Sequence, residues 1–271
     1  MAVSCPQRTS TTSPDPFMKR LFKYSLIVLF WIGLWWAASA VVGLPLILPS
    51  PIDVLIKLGQ MSTTPLFWHV MLLSSIRVLV GILLSYAAAF LLALICHRVK
   101  FLYDFFMPAI SVIKTTPVTS FILIAFVLMH RDLIPGLIAA LIVFPVVFAN
   151  TIEGLRSAHP ELIETARAYN LGFKDRLRCI WLPTLRPFMI SAAGASAGLA
   201  IKAGVAAEVL ITPEVSVGKY IFNAKQNMEY VELFAWTVAI VIFSYLLDIA
   251  FKLLLKYVRR KTKKEAIVYE N

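Results

Sequence analysis

Six apolar stretches of membrane-crossing length govern what this 271-residue chain can fold into: residues 24–48, 70–96, 105–129, 133–150, 187–211 and 233–255. A helix rises 1.5 Å per residue, so about 20 apolar residues cross a bilayer core, and each of these stretches can span, some with tilt or a kink. Composition points the same way: 59% of residues are hydrophobic and 15% charged, with a mean hydropathy of +0.80. A soluble domain carries roughly 25% charged residues. A water-soluble globule is excluded, and no room remains for a second soluble domain. The expected fold class is all-α, a polytopic membrane bundle of about six transmembrane helices.

Lys and Arg number 26 against 15 Asp and Glu, a net charge of +11. On a soluble protein that excess would suggest nucleic acid. Here it follows from the gathering of Lys and Arg in cytoplasmic loops of membrane proteins, so no nucleic-acid partner is expected. With six spans, Lys57, Arg131, Lys219 and Lys225 fall on one side, Arg77, Lys114 and Lys202 lie inside spans, and the remaining nineteen share the other side. That side reads as cytoplasm and holds both termini. Moving the count by one helix destroys the asymmetry. The expected organisation is a disordered cytoplasmic tail at 1–23, a transmembrane domain at 24–257, and a basic cytoplasmic tail at 258–271. Residues 1–17 are rich in Ser, Thr and Pro, and Met18 competes with Met1 as the start. The apolar stretch after them is longer than a signal core and has no small-residue cleavage pattern, so no secretion signal is expected. Cys5, Cys96 and Cys179 are in no CxxC spacing, which gives neither a disulfide framework nor a metal site support.

The connection between the fourth and fifth stretches, Thr151 to Arg186, is far longer than antiparallel helices need, yet it is patterned as helix. Pro160 and Glu161 suit a first turn, where a missing N–H costs nothing and a carboxylate meets the positive dipole end. Leu162, Ile163, Ala166 and Tyr169 then fall near one face, and Asn170 is a candidate left-handed terminator. A second amphipathic piece follows, with Leu177, Ile180 and Trp181 on one face and Lys174, Arg176 and Arg178 turned to water or lipid headgroups. Pro183 and Pro187 are expected to close it. Such a folded cytoplasmic elbow predicts a docking partner.

Residues 161–183 of this elbow resemble the EAA loop of ABC importer permeases, whose pattern is E-A-A, three residues, Gly, nine residues, then Ile-x-Leu-Pro. Glu164, Thr165 and Ala166 take the first three places, Asn170 stands where the Gly is expected, and Ile180, Leu182 and Pro183 complete the pattern without a gap. Thr165 for Ala is a mild departure; Asn170 for Gly bears on the turn geometry, because Asn enters the left-handed region less freely than Gly. Further segments resemble the nitrate, sulfonate and taurine branch of these permeases: Leu48-Pro49-Ser50-Pro51, Ser75 to Gly81, Thr116-Pro117, and Ala206-Ala207-Glu208.

The resemblance implies a type I ABC importer permease-like bundle in a bacterial inner membrane, with a coupling loop at 153–187. It implies contact with cytoplasmic ABC ATPase subunits through Glu161, Glu164, Thr165, Ala166, Tyr169, Asn170, Gly172, Ile180, Leu182 and Pro183. It also implies a permease homodimer and an external solute-binding protein. The cargo would be a small solute, anions of the sulfonate, nitrate or taurine kind among them. ATP and Mg would sit on the ATPase, and this chain would bind no cofactor. No phosphate-cradling GxxxxGK[ST] occurs, and His69, His97, His130 and His159 are scattered, so neither an ATPase nor another enzyme is expected. A secondary transporter or channel is the alternative; it would not need the structured elbow.

Charges within spans are the other candidates, because a centred charge costs about 2.5–3.5 kcal/mol even on the lenient insertion scale. Lys202 and Glu208 sit on the fifth span, about 240° apart around the helix, so each needs a partner on another element or a wet cavity. Lys202 reads either as an anion-attracting residue of the translocation path or as a brace. Arg77 reads more readily as a brace to carbonyls or a carboxylate. Lys114, Thr115, Thr116 and Pro117 mark a kink of the third span, with hydroxyls able to satisfy freed backbone groups or face a polar cavity. Gly194 and Gly198 form a GxxxG expected to pack this helix closely in the core or near a subunit interface. The external segment Thr212 to Glu232, with Glu214, Glu229 and Glu232, is a candidate contact for the binding protein.

Overall fold

The computed structural model describes the backbone of residues 16–44 and 46–268. Side chains are described from 24 to 250, apart from 45, 167, 173 and 174, and at Leu253. The expected N-terminal tail as far as residue 15, the last three residues, and the side chains of most C-terminal cations lie outside this description.

The helices are α1 (Pro16–Val42), α2 (Pro51–Ser62), α3 (Pro65–Arg98), α4 (Lys100–Thr115), α5 (Val118–Leu128), α6 (Ile134–Arg156), α7 (Pro160–Ala168), α8 (Phe173–Arg176), α9 (Leu182–Ile211), α10 (Val217–Gln226) and α11 (Tyr230–Val268). A 3-10 turn at Arg131–Leu133 leads into α6, and a π-helical turn at Leu177–Trp181 joins α8 to α9. The expected all-α bundle is the observed one. Two boundaries differ from expectation. Residues 16–23, read as tail, open α1, and residues 258–268, read as a basic tail, continue α11.

Five helical runs are long and apolar enough to cross a membrane alone, and α4 with α5 forms a sixth, bent by 104°. The packing shows that this bent pair is one crossing. α3 and α6 run parallel, since Arg77 meets Asp132, Gly81 meets Gly136, and the Ser85 hydroxyl donates to the Ala140 carbonyl at 2.8 Å, four residues apart on each helix. Parallel neighbours require the chain between them to return across the bundle, and α4–α5 does so. Thr116 and Pro117 are both extended at the bend, as the residue before a proline prefers. The third stretch is therefore a broken span, sharper than the expected kink.

α9 runs back against both: Tyr86 donates to the Met189 carbonyl at 2.9 Å, Gly204 meets Val78, and Ser74 meets Glu208. α11 starts beside α3, where Trp236 stacks on Phe67 with centroids 5.2 Å apart. Residues 157–181 thus occupy one end of the bundle, and α2 and α10 lie across the other. The core between α3, α6 and α9 is built from Val78, Ile82, Ala89, Ala93, Val143, Val147, Phe148, Ala192 and Ala200. Small side chains matter here because lipid gives apolar surfaces no reason to leave it, and close backbone approach supplies the attraction. A Cβ on Gly81 would overlap the Gly136 carbonyl, and one on Gly136 would lie 2.8 Å from the Arg77 carbonyl oxygen.

The expected GxxxG makes no close packing within this chain. Neither Gly194 nor Gly198 has an atom within 4 Å of where a Cβ would stand. α9 is a core helix through Ala192, Ala193, Ala197 and Ala200, while Gly194 faces away from its own chain's packing.

Candidate functional site

At the end capped by α2 and α10, four elements converge on one carboxylate. Glu208, near the C-terminus of α9, is 0% exposed. Its Oε2 accepts the Ser74 hydroxyl at 2.8 Å and the Gly218 N–H at 3.4 Å; the Ser74 oxygen in turn accepts the Val217 N–H at 3.0 Å. Gly218 is required because a Cβ there would overlap the Glu208 backbone. Arg77 lies alongside: Nη1 donates to the Val215 carbonyl at 2.6 Å and stands 3.7 Å from Glu208 Oε1, and Nη2 pairs with Asp132 at 2.7 Å. Arg77 is bonded to a carbonyl and a carboxylate, and Glu208 finds partners on other elements. Sequence reasoning missed Ser74, Val215 and Gly218, whose roles arise from contacts across more than a hundred residues for Ser74. Asp132 carried a signal, being an acidic residue at the edge of the fourth apolar stretch in a chain whose second stretch holds an Arg77 unpaired within that stretch.

The elbow occupies the opposite end. α7 begins at Pro160 and closes where Asn170 turns left-handed (φ 50°), with the Leu171 N–H donating to the Ala166 carbonyl at 2.9 Å. The Thr165 hydroxyl bonds its own helix, to the Glu161 carbonyl at 2.8 Å. The expected single apolar face is divided. Ala166 is 1% exposed and packs inward, with Ile163 half-buried, whereas Leu162 at 47% and Tyr169 at 78% face out. Glu161, Glu164, Thr165, Asn170 and Gly172 are exposed; Ile180 is buried; Leu182 and Pro183 are exposed. Arg176 Nε donates to the Leu171 carbonyl at 2.9 Å, which fastens the turn.

The second piece is not closed by its prolines. Pro183 sits in the first turn of α9 and Pro187 inside it. The π-helical turn widens the ladder where Pro183 brings no donor, and the Thr184 hydroxyl covers the Ile180 carbonyl at 2.8 Å. The second piece of the elbow, α8 and the π-helical turn, is therefore continuous with α9. Trp181 packs edge-on against His97 at the end of α3, with centroids 5.4 Å apart, and Gly154 of α6 accepts Leu185 and Phe188 of α9 closely.

The remaining charged candidates line cavities. Lys114 and Thr116 border a cavity of about 270 Å³ against α6, and Lys114 also borders one of about 290 Å³ with Tyr103, Glu153 and Arg156. The Thr115 hydroxyl donates to Ser111 and the Thr116 hydroxyl to Val112, at 3.0 and 2.7 Å, so both serve the broken backbone next to Pro117. Lys202 is exposed in a groove of about 570 Å³ between α9 and α11, with Gly194, Gly198, Ser244, Tyr245 and Asp248. The structure does not bring Lys202 to Glu208 or to Lys114. In the segment 212–232, Glu214 and Glu229 are exposed, but Glu232 is half-buried and pairs with Lys57 at 3.0 Å, a brace between α11 and α2. Among the described residues no His, Cys, Asp or Glu cluster is gathered as a metal site.

Comparison with known proteins meets this geometry. The sequence model of the family described as "Binding-protein-dependent transport system inner membrane component" matches residues 81–264. The chain is 25% identical over 229 residues to the nitrate import permease protein NrtB of Synechococcus elongatus, covering 80% of this chain and 81% of that one. It is 26% identical to the osmoprotectant import permease protein OsmY of Salmonella typhimurium (85% and 92% covered), and 26% identical to SsuC of Bacillus subtilis, named for aliphatic sulfonates transport (88% and 85%). In fold it is similar to a chain in the crystal structure of an amino acid ABC transporter with histidines. The TM-score is 0.56 at 17% identity, over 75% of this chain and 97% of that one.

Proposed function

Because the chain belongs to the family of binding-protein-dependent transport system inner membrane components, as a permease subunit of an ABC importer, we propose that its elbow is where nucleotide-driven motion enters the bundle. In this reading two copies of the chain meet two cytoplasmic ATPase subunits. Each elbow seats Leu162 and Tyr169, ringed by Glu161 and Glu164, in a cleft of its ATPase, which alone binds ATP and Mg. The observation that carries this is the division of α7. Ala166 is locked inside while a large aromatic and a Leu one row away stand in water, where a solvated helix would place polar groups. α7 joins the second piece of the elbow through the turn at Asn170, and that piece runs on into α9, which gives motion at α7 a route to Glu208 near the far end of α9.

The nineteen-to-four distribution of cations supports a cytoplasmic elbow with both termini on its side, in the inner membrane of a bacterium. α2, α10, Glu214 and Glu229 then face the outside, where a solute-binding protein would deliver cargo. The cargo is a small solute, and an anion is favoured by Lys114 and Lys202, cations that line cavities within the spans. The groove holding Gly194 and Gly198 is the face offered to the second copy or the translocation path. The test is copurification: Glu164→Lys with Tyr169→Ala should release the ATPase while the protein stays inserted and folded. Retention of the ATPase at wild-type stoichiometry refutes the docking assignment.

A further inference from the structure

Glu208 poses a question that its structural role leaves open. Its Oε2 is well supplied by Ser74 and Gly218, yet Oε1 is buried with no hydrogen-bond partner. A buried acceptor without a donor costs about 1–3 kcal/mol, more when charged, and is uncommon enough to call for an explanation. Arg77 Nη1 stands 3.7 Å away, within ion-pair distance and beyond hydrogen-bond reach. Nη1 places one N–H on the Val215 carbonyl at 2.6 Å and Nη2 one on Asp132 at 2.7 Å. One guanidinium therefore stands between two carboxylates, bonded to one and about 1 Å short of the other.

We propose that Arg77 is an exchange residue of the outer end: it is bonded to Asp132 in the state seen here and passes to Glu208 Oε1 when α10 is displaced by a docked solute-binding protein. The geometry gives each part a reason. Val215 and Gly218 flank the start of α10, so pressure on α10 acts on both the carbonyl that holds Nη1 and the N–H that holds Glu208. Asp132 belongs to the turn that closes the broken crossing α4–α5, and its side chain is 38% exposed, so it can be released to water. Arg77 and Asp132 border an otherwise apolar cavity of about 690 Å³ between α3 and α6, which gives the guanidinium and the turn room to move. Glu208 lies in the last turn of α9, which is continuous with the second piece of the elbow, so the exchange would alter the load on the elbow proposed to meet the ATPase. The state seen keeps one carboxylate oxygen unsatisfied; the switched state satisfies it and frees Asp132. Two discrete arrangements of one guanidinium are the kind of alternatives from which a switch is built.

The idea rests on the coupling reading, and the test separates the two. Spin labels at Arg131→Cys and Lys219→Cys report the distance between the α5–α6 turn and α10 in the chain alone, in nanodiscs, while ATP hydrolysis is measured in the assembled complex with and without loaded binding protein. Asp132→Asn removes the partner of the observed state. It should move the label distance toward the switched position and raise basal hydrolysis about fivefold, the low end of the coupling between linked sites. Glu208→Gln keeps an acceptor for Ser74 and Gly218 but weakens the receiving charge. It should hold the wild-type distance and lose about fivefold of the binding-protein stimulation. Shifts of the same sign in both variants, in distance or in hydrolysis, overturn the exchange. A shifted distance in Asp132→Asn with a wild-type distance in Glu208→Gln, found together with a wild-type complex that the binding protein does not stimulate, would uphold the passage of Arg77 between the carboxylates and refute the coupling reading on which its trigger rests.

Discussion

Ser74 on α3 donates its hydroxyl hydrogen to Glu208 on α9 at 2.8 Å, and the same oxygen accepts the N–H of Val217 at the start of α10. One side chain thus ties three elements to a buried carboxylate. Ser74→Ala should destabilise the folded chain by about 1–3 kcal/mol, the range for stranding buried polar groups. Arg77→Ala should cost more, about 3–5 kcal/mol, because it leaves Glu208 without its compensating charge. Thermal unfolding in a mild detergent orders the two; equal or negligible effects would remove the network's structural role.

Glycine positions divide by what they touch. Gly136→Leu should disrupt the α3–α6 seam, where the Arg77 carbonyl already stands 2.8 Å from a Cβ position, by about 1–3 kcal/mol or more. Gly198→Leu meets nothing within 4 Å and should leave the stability of the single chain unchanged. If the α9–α11 groove faces a second copy, the same Gly198→Leu lowers the dimer fraction in light scattering.

Asn170 holds a left-handed conformation that costs an ordinary L-residue roughly 1–2 kcal/mol. Asn170→Gly should therefore preserve the elbow, while Asn170→Val should loosen it. Hydrogen exchange at Leu171, whose N–H donates to Ala166, reads the difference directly. Faster exchange in both variants would contradict the terminator role.

Lys202 is exposed within its groove and has no ion pair or hydrogen bond among the described residues. Lys202→Met should leave thermal stability and ATPase copurification unchanged while raising the KM for an anionic cargo severalfold. A loss of stability instead would make it a brace.

The crossings, the elbow and the turn at Asn170 were legible because each is written locally, in apolar length, in 3.6-residue spacing, or in one residue suited to positive φ. The break at Thr116-Pro117 was legible as a kink, but its 104° angle depends on Thr116 and Pro117 both being extended, which no pattern specifies. α2 and α10 went unread as helices, being short and amphipathic at the edges of loops. Gly194 and Gly198 mark a smooth face without saying what covers it; within the chain the close approaches fall at Gly81, Gly136, Gly154, Gly204 and Gly218. Pro183 and Pro187 looked like terminators, yet a π-helical turn and the Thr184 hydroxyl let α9 run through them. The partners of Glu208 are a product of the tertiary fold, and only the cost of burying that charge announced that they must exist.

Reconstitution tests the central claim most directly. Proteoliposomes holding this chain alone, or the chain with its cognate ATPase and binding protein, are assayed for uptake of labelled nitrate and a labelled alkanesulfonate under an imposed gradient, with and without ATP. The account predicts uptake of one of these anions only in the full assembly and only with ATP. Gradient-driven flux through the chain alone would contradict it.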